Sequence, residues 1–200
     1  MLNLCLQPGR REAGCDEAGR GPLAGPVVAA AVILPDDYRN PMLIDSKQLT
    51  ERQRNQLRLE IEREAVAWAV ATVSAEEIDR LNILHASTHA MCLAVKRLSV
   101  KPDFLLIDGN HFYNETDIPH QCIVKGDAKL MPIAAASILA KTHRDELMTQ
   151  LHEEYPCYGW DTNKGYPTAA HYQAIEQHGV SPYHRHSFTL YKQHSLFEQP

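Results

Sequence analysis

The feature that most constrains the fold is an unbroken apolar run, residues 27–34, which follows a segment rich in Gly and Pro. A short apolar run bounded by turn residues is typical of a strand that is buried on both of its faces. Such a strand needs other layers packed above and below it. The chain is therefore expected to fold as a layered protein around a central sheet.

Capping signals place the first two helices. Thr50 with Gln53 forms one capping box and Ser74 with Glu77 forms another, and each pattern predicts the start of a helix. The second helix is predicted to continue along a regular apolar face until Pro102 ends it.

Further elements follow from apolar runs and turn residues. Residues 66–73, 104–107 and 121–124 have strand character. The Ala-rich stretch 132–153 is predicted to be a helix with Pro in its first turn, and Thr168 is expected to cap a final helix. This order of strands and helices favours an α/β or α+β layered domain with a helical C-terminal part.

The 200 residues, 44% of them hydrophobic, are enough to bury one substantial core. We expect a single α/β domain over residues 1–200, with a mixed sheet flanked by helices and residues from about 145 to 200 forming a helical C-terminal extension and tail. The chain shows no membrane span or secretory signal pattern, so a cytoplasmic location is expected. Five scattered cysteines without a C-x-x-C pair indicate neither a disulfide framework nor a zinc site.

Four carboxylates are the candidate functional residues. Asp16 and Glu17 are neighbours at the end of the first predicted strand, and Asp108 and Asp127 follow later strands. Adjacent strand residues normally point to opposite faces, but a bend at Gly19 could let both acids serve one site. Because ligands bind at the carboxyl ends of strands in open α/β sheets, the four side chains are expected to converge there.

Carboxylates without paired histidines suit Mg²⁺ or Mn²⁺ better than zinc, because hard cations prefer oxygen ligands. Two such ions roughly 3.5 to 4 Å apart can clamp both sides of a phosphodiester. A net charge of -5 argues against coating nucleic acid by bulk electrostatics, although metal ions on clustered acids could still hold a polyanion. The alternative for Asp108 and Asp127 is that each is a turn residue or a helix cap.

A glycine-rich signature surrounds the first two acids. Residues 14–28, Gly-Cys-Asp-Glu-Ala-Gly-Arg-Gly-Pro-Leu-Ala-Gly-Pro-Val-Val, closely resemble the signature of ribonuclease HII, the bacterial type 2 ribonuclease H. Further matches follow in order at residues 45–47, 81–86, 107–110, 125–127, 135–141, 164–168 and 185–188. The resemblance implies a ribonuclease H-like fold. It also implies endonucleolytic hydrolysis of RNA in RNA-DNA duplexes, including at single ribonucleotides in DNA, that leaves 3′-hydroxyl and 5′-phosphate ends.

The resemblance assigns metal binding to the same four carboxylates. It also matches Gly19, Arg20 and Gly21 to the element that senses the ribose 2′-hydroxyl at the RNA-to-DNA junction. Glycines permit close backbone approach, and the 2′-hydroxyl is what distinguishes RNA from DNA. Tyr166 matches the tyrosine that packs on the deoxyribose following the ribonucleotide.

Several polar residues beside the matched motifs are candidate contacts to substrate phosphates, which position a duplex without reading its sequence. They are Ser46, Lys47, Lys125, Lys141 and Lys164. The alternative for each lysine is a solvated surface residue. The cluster 184–186, His-Arg-His, is expected to be structural or phosphate-facing, because a carboxylate metal site needs no histidine ligand.

Some residues depart from the family pattern, and they bear on phosphate contacts and local charge, not on the metal site. They are Gln48, Ala134, Thr142, His143 and His186.

Near the C-terminus, residues 193–197, from Gln193 to Phe197, resemble the short motif with which bacterial replication proteins dock on the sliding clamp. The alternative is a tail that frays or packs on the core. The other expected partners are RNA-DNA hybrids and DNA containing ribonucleotides, bound by a monomer with no membrane association.

Two alternatives for the activity remain open. A different metal phosphoesterase would not require a ribose 2′-hydroxyl. A catalytically silent nucleic-acid-binding module is disfavoured because all four carboxylates are present.

Overall fold

The structure is a computed structural model that describes residues 2–43 and 46–191, without the side chain of Lys47. Within these residues a mixed sheet is built from β1 (Glu12–Ala18), β2 (Val27–Ile33), β3 (Ala67–Val73), β4 (Phe104–Asp108) and β5 (His120–Ile123). The strands lie in the order β3-β2-β1-β4-β5. The β1-β2 and β2-β3 pairs are antiparallel, whereas β1-β4 and β4-β5 are parallel.

Helices flank this sheet. In the described ranges they are α1 (Glu51–Glu64), α2 (Ala75–Leu81), α3 (Ile83–Lys96), α4 (Met131–Glu154), α5 (Trp160–Asn163) and α6 (Ala169–His178). Short 3-10 helices span Ser46–Gln48, Gly126–Ala128 and Pro156–Tyr158. None of the described helices is both long enough and apolar enough to span a membrane. The architecture confirms the predicted α/β class with a central mixed sheet flanked by helices.

The strand β2 is buried along its whole length, as the apolar run predicts. Its alternate residues serve two different cores, because successive side chains of a strand point to opposite faces. Val27, Ala29 and Ala31 pack into the core that includes α3. Ala30 and Val32 pack into the core that includes α1 and α4. The strand is therefore the middle layer of the protein.

Both predicted capping boxes are present, and the Thr50 and Ser74 side chains accept hydrogen bonds from the amides of Gln53 and Glu77. The prediction of one continuous second helix is wrong, since the chain breaks at Asn82 into α2 and α3. Asn82 has a φ of 65°, which asparagine tolerates better than most residues. Its side chain then caps α3 by accepting two amide hydrogen bonds of 3.0 and 3.1 Å.

The helical C-terminal part packs against the Gly-rich segment that follows β1. Leu23 and Ala24 belong to the same apolar cluster as the fully buried Trp160. The Leu23 amide donates to the Gly165 carbonyl at 2.8 Å, and the Leu23 carbonyl accepts from the Arg185 amide at 2.8 Å. These contacts attach the segment to two separate parts of the C-terminal region.

The start of α4 lies directly on β1, because Gly14 has no side chain. A methyl group at Gly14 would collide with the backbone of Pro132 and Ile133. This close approach brings the next turn of α4, which carries Ser137, against the strand position of Asp16. The glycine thus decides which helix covers the acidic end of β1.

Candidate active site

Asp16 is a buried carboxylate near the end of β1, with 5% of its surface exposed. One of its oxygens, Oδ1, accepts a hydrogen bond from the Glu17 amide at 2.7 Å. Its carboxylate also has a hydrogen bond with the Ser137 side chain. Burial raises the pKa of Asp16 well above its usual range, and the nearby charges of Glu17 and Asp108 raise it further. Removing the negative charge from water is therefore costly at this position.

Glu17 follows in the same strand, and the bend expected at Gly19 does not begin before it. The β1-β2 ladder stays regular as far as Ala18, and Glu17 lies opposite Ala29. Burial raises the pKa of Glu17, the Arg20 guanidinium opposes that effect, and the Asp108 carboxylate adds to it. The Arg20 group lies 3.2 Å from Oε1 of Glu17. Asp16 and Glu17 thus both interact with Asp108.

Asp108 reaches this region because β4 runs parallel to β1, with Ile107 opposite Cys15. The acid at the end of β4 consequently lies beside the Asp16 position, at the same edge of the sheet. Its Oδ1 accepts a hydrogen bond of 2.7 Å from the Gly126 amide. Gly126 immediately precedes Asp127, so Asp108 holds the turn that carries the fourth acid. The side chain of Asp127 is buried, with 3% exposed.

The structure therefore brings Asp16, Glu17 and Asp108 within electrostatic range and ties the turn containing Asp127 to them. Across residues 2–43 and 46–191, no three Asp, Glu, His or Cys side chains are gathered closely enough to form a ready metal cage. The convergence of all four acids on common ions stays a prediction. The donor chemistry nevertheless fits a hard divalent cation, because the donors are oxygens and their mutual repulsion favours a bound positive charge.

Ser137 was not singled out among the sequence candidates, although it lies in a matched motif. Its hydroxyl is 3.0 Å from the hydroxyl of Ser46, and both side chains are buried. Through Ser137, the predicted phosphate contact Ser46 is linked to the carboxylate of Asp16. A polar residue inside an otherwise apolar Ala-rich helix is the signal that could have identified it.

Two buried arginines lie beneath the Gly-rich loop, residues 19–26, which connects β1 and β2. Arg144 is 2% exposed and Arg185 is fully buried. Arg144 donates hydrogen bonds of 3.0 to 3.2 Å to the carbonyls of Pro26, Lys164 and Ala24. Arg185 donates hydrogen bonds of 2.7 to 3.1 Å to the carbonyls of Gly25, Arg20 and Gly19. Backbone carbonyl dipoles are therefore the hydrogen-bond acceptors around both buried guanidinium groups.

Burial is the main cause that lowers the pKa of Arg144 to about 10 and that of Arg185 to about 9, and the charge of Arg144 contributes to the second shift. Both values leave the groups charged at neutral pH. Sequence reasoning missed Arg144, yet Ala140 and Met148 stand four residues before and after it and are both fully buried. A cation on the buried stripe of a helix is the signal that could have identified it.

The arginines orient the backbone of the loop. The carbonyls of Gly19 and Arg20 turn towards Arg185. Because the carbonyl and the amide hydrogen of a trans peptide point in opposite directions, the amides of Arg20 and Gly21 point away from Arg185. Gly19 has a φ of 98°, and a side chain there would collide with Arg144, so this position favours glycine on two grounds.

Gly21 and Tyr166, both predicted to contact substrate, lie side by side. A methyl group at Gly21 would sit 3.6 Å from Cε1 of the Tyr166 ring. The Tyr166 side chain is among the exposed large hydrophobic groups, at 43%. The loop and the ring thus form one exposed surface, and Gly21 lies four residues after Glu17.

The predicted lysine contacts are not equivalent. Lys125 is exposed on the turn before Asp127, with a left-handed φ of 55°. Lys141 is paired with Asp145 at 2.5 Å, and the ammonium of Lys164 bonds the Thr149 hydroxyl at 3.0 Å. Phosphate binding by these residues stays a prediction, and the side chain of Lys47 is outside the described part of the chain.

Two members of the His-Arg-His cluster at 184–186 are built into the protein interior. His184 and Arg185 are buried, while His186 is exposed and its amide bonds Asp79 at 2.8 Å.

The positions that depart from the family pattern have local contacts of their own. Ala134 is a fully buried core residue, and Gln48 is exposed. The Thr142 hydroxyl donates to the Ile138 carbonyl at 2.7 Å, within α4. His143 lies 3.0 Å from the Glu62 carboxylate of α1.

A family model described as Ribonuclease HII matches residues 13–191. The chain belongs to the ribonuclease HII family. A protein named Ribonuclease HII from Bacteroides thetaiotaomicron is 64% identical over 190 residues, which cover 95% of each chain. As a member of this family, the chain is a metal-dependent ribonuclease H of type 2.

Solved structures agree with this family. The ribonuclease H2 from Pyrococcus horikoshii has 27% identity and a TM-score of 0.75, covering 90% of this chain and 94% of that one. The ribonuclease HII of the PCNA:RNase HII complex from Archaeoglobus fulgidus has 25% identity and a TM-score of 0.76, covering 93% and 98%. The ribonuclease HII assignment thus agrees with the ribonuclease H-like fold of the central sheet.

The substitution Arg185→Lys should lower the free energy of unfolding by about 2 to 4 kcal/mol. An ammonium cannot reproduce the forked guanidinium, so several buried carbonyls of the loop lose their donors. Urea unfolding measures the effect. Arg63→Lys, at a side chain that is 74% exposed, is the matched control and should change stability by less than about 0.5 kcal/mol. Equal stability of the two variants would show that Arg185 does not hold the loop.

Proposed function

We propose that this ribonuclease HII hydrolyses the RNA strand of RNA-DNA hybrids and cuts on the 5′ side of ribonucleotides embedded in duplex DNA. The products would carry 3′-hydroxyl and 5′-phosphate ends. The observation that carries the proposal is the exposed surface formed by Gly21 and Tyr166, in which Gly21 lies four residues after Glu17, at the acidic end of β1. Such a surface can examine a sugar while the neighbouring carboxylates face its phosphodiester.

Asp16, Glu17, Asp108 and Asp127 would hold Mn²⁺ or Mg²⁺. When bound, a pair of such ions supplies Lewis-acid chemistry to both sides of the scissile phosphodiester. The protein orients the ligands by hydrogen bonds from groups around them. The Glu17 amide and Ser137 hold Asp16, and the Gly126 amide holds Asp108. These bonds limit the rotation of the carboxylates and therefore favour one arrangement of the oxygens.

Discrimination between RNA and DNA is proposed to occur at the loop. The amides of Arg20 and Gly21, turned away from Arg185, would donate to a ribose 2′-hydroxyl, a group that DNA lacks. The neighbouring Tyr166 ring would pack on the following sugar when that sugar has no 2′-hydroxyl. Together the two elements would recognise the step from RNA to DNA.

The net charge of -5 does not favour binding of a duplex by bulk electrostatics. Lys125, two residues before Asp127, and Lys164, two residues before Tyr166, are proposed phosphate contacts, whereas Lys141 is already paired with Asp145. The proposal therefore assigns specificity to the loop and the ring, and assigns much of the phosphate binding to the metal ions. A cytoplasmic location and a monomeric state remain predictions.

The substitution Asp16→Asn should reduce cleavage of duplex DNA containing one ribonucleotide by at least about 10²-fold, the size of effect typical for removing one electrostatic catalytic group. The assay uses Mg²⁺ and Mn²⁺ separately. Polymerase extension of the product tests for a 3′-hydroxyl. Asp37→Asn, at an exposed acid remote from the site, should retain full activity.

An all-DNA duplex distinguishes the alternatives. Cleavage of all-DNA by the wild type would indicate a different phosphoesterase, and binding without cleavage would indicate a silent binding module. Substantial activity of Asp16→Asn would contradict the assignment of the metal site.

The substitution Tyr166→Ala should lower kcat/KM at an isolated ribonucleotide by about 10-fold more than it lowers kcat/KM within a long RNA-DNA hybrid. The loss of the contact between ring and sugar has its largest effect on a substrate that the enzyme recognises only by one RNA-to-DNA junction. The measurement is the ratio of kcat/KM for the two substrates. Equal losses on both substrates would count against junction sensing by Tyr166.

We also propose that residues 193–197 dock on a sliding clamp. This segment lies outside the described residues, and the proposal is supported by its motif and by the structural relative solved in complex with PCNA. A labelled peptide of residues 189–200 should bind a bacterial clamp, as measured by fluorescence polarisation, and a peptide with Leu196→Ala and Phe197→Ala should not. Equal binding by both peptides, or binding by neither, would refute the motif.

A further inference from the structure

A chain of buried polar side chains ends on the backbone of Tyr166. The Ser181 amide donates to Nδ1 of His184 at 2.9 Å. Nε2 of His184 lies 3.2 Å from Nε2 of His171, and Nε1 of Trp160 lies 3.1 Å from the same His171 nitrogen. Nδ1 of His171 lies 3.0 Å from the Tyr166 carbonyl oxygen. The catalytic proposal above uses none of these imidazole or indole groups.

The two ends of this hydrogen-bond series, the Ser181 amide and the Tyr166 carbonyl, determine which ring nitrogens carry protons. The Ser181 amide can only donate, so Nδ1 of His184 accepts and a neutral His184 carries its proton on Nε2. The Tyr166 carbonyl can only accept, so Nδ1 of His171 carries a proton. Nε2 of His171 then accepts from both Trp160 and His184. With both imidazoles neutral, one arrangement of protons thus gives every ring nitrogen of His171, His184 and Trp160 a hydrogen-bond partner.

The surroundings of the histidines favour this neutral arrangement. His171 is fully buried and His184 is 1% exposed. Burial lowers the pKa of both rings, that of His184 to about 4, where His171 also contributes. A neutral pair can donate in one direction only, from Ser181 towards Tyr166. Burial therefore favours the neutral form, while the Ser181 donor and the Tyr166 acceptor set the direction of the hydrogen bonds.

The carbonyl of Tyr166 is held by two donors. One is Nδ1 of His171, and the other is the Thr168 amide at 2.8 Å. The Tyr166 amide in turn donates to the Asn163 carbonyl at 2.9 Å. Because the Tyr166 ring is exposed along much of its surface, its direction depends strongly on how well its own backbone is fixed.

We propose that His171 is a positioning residue for Tyr166, whose carbonyl it holds through Nδ1 so that the ring stays beside Gly21 and against the substrate sugar. The proposal rests on the junction-sensing function proposed for Tyr166. The residue does not touch substrate, so it acts on the choice between substrates and not on the phosphodiester. Losing its Nδ1 donor should reduce the preference for an isolated ribonucleotide while leaving the carboxylate site unchanged.

Two substitutions of His171 test the contacts of its two ring nitrogens separately. In His171→Asn, the side-chain amide nitrogen can take the place of Nδ1 and still donate to Tyr166, while the acceptor for Trp160 and His184 is lost. In His171→Gln, the side-chain oxygen can take the place of Nε2 and still accept, while the donor to Tyr166 is lost. The variants therefore differ in the contact that the proposal concerns.

The measurement is the ratio of kcat/KM for DNA with one ribonucleotide to kcat/KM for a long RNA-DNA hybrid. His171→Gln should lower this ratio by about 10-fold, the effect of one lost buried hydrogen bond. His171→Asn should keep the ratio within about 2-fold of wild type, even if its thermal stability falls. All rates are taken on protein shown to be folded by circular dichroism, and His171→Leu removes the donor in a second form in case the Gln variant does not fold.

The outcomes separate this proposal from the function on which it rests. If Tyr166→Ala lowers the ratio but His171→Gln and His171→Leu do not, positioning by His171 is wrong and junction sensing stands. An equal loss in the Asn and Gln variants would also overturn positioning, because the contact to Tyr166 would not be the determinant. If Tyr166→Ala itself leaves the ratio unchanged, the function assigned to Tyr166 fails, and the positioning proposal fails with it.

Discussion

The site depends on the two guanidinium groups buried beneath the Gly-rich loop. Arg144 comes from the longest helix and Arg185 from the C-terminal region, yet both donate to carbonyls of the same loop. Burying a cation is costly unless its donors are satisfied, and here backbone dipoles supply acceptors. Because each group has several donors in a fixed fork, the loop has little freedom to take another shape. The same bonds turn the Arg20 and Gly21 amides away from Arg185, and both residues are exposed.

The acidic side of the site follows from the order of the strands. Placing β1 beside a parallel β4 brings Asp108 to the end of the sheet that holds Asp16 and Glu17. The absence of a side chain at Gly14 allows α4 to lie on β1, which brings Ser137 within hydrogen-bond range of Asp16. The raised pKa values of the first two acids are the electrostatic consequence of this crowding and burial, and a divalent cation is the group that would relieve it.

The two parts of the proposed function are joined by a very short piece of chain. Glu17 ends the acidic part, and Gly19 already begins the loop held by the arginines. The Tyr166 ring, attached through a separate turn, meets that loop at Gly21. The substrate would therefore be examined and cut within a few residues of one strand end. This proximity would place the scissile phosphodiester at the carboxylates when the loop binds the sugar.

Much of this arrangement could be predicted from local patterns. The buried strand β2 and both capping boxes were predicted because hydrophobic periodicity and turn chemistry are local properties. The four acids were identified as candidates because they follow predicted strands. The break at Asn82 was missed, since an apolar face continues across it and only the left-handed φ reveals the cap. Matches along nearly the whole chain also indicated the family correctly.

The sequence by itself determined the class of fold, the family and the identity of the candidate acids. Only the tertiary structure decided that Arg144 and Arg185 donate hydrogen bonds to the same loop, and that the His171 ring contacts the carbonyl of Tyr166. The physical reason is that these contacts join residues far apart in the chain, and a buried hydrogen bond to a backbone carbonyl leaves no residue-type signature at the accepting end. The acceptor is an atom that every residue has, so its partner is known only once the chain has folded.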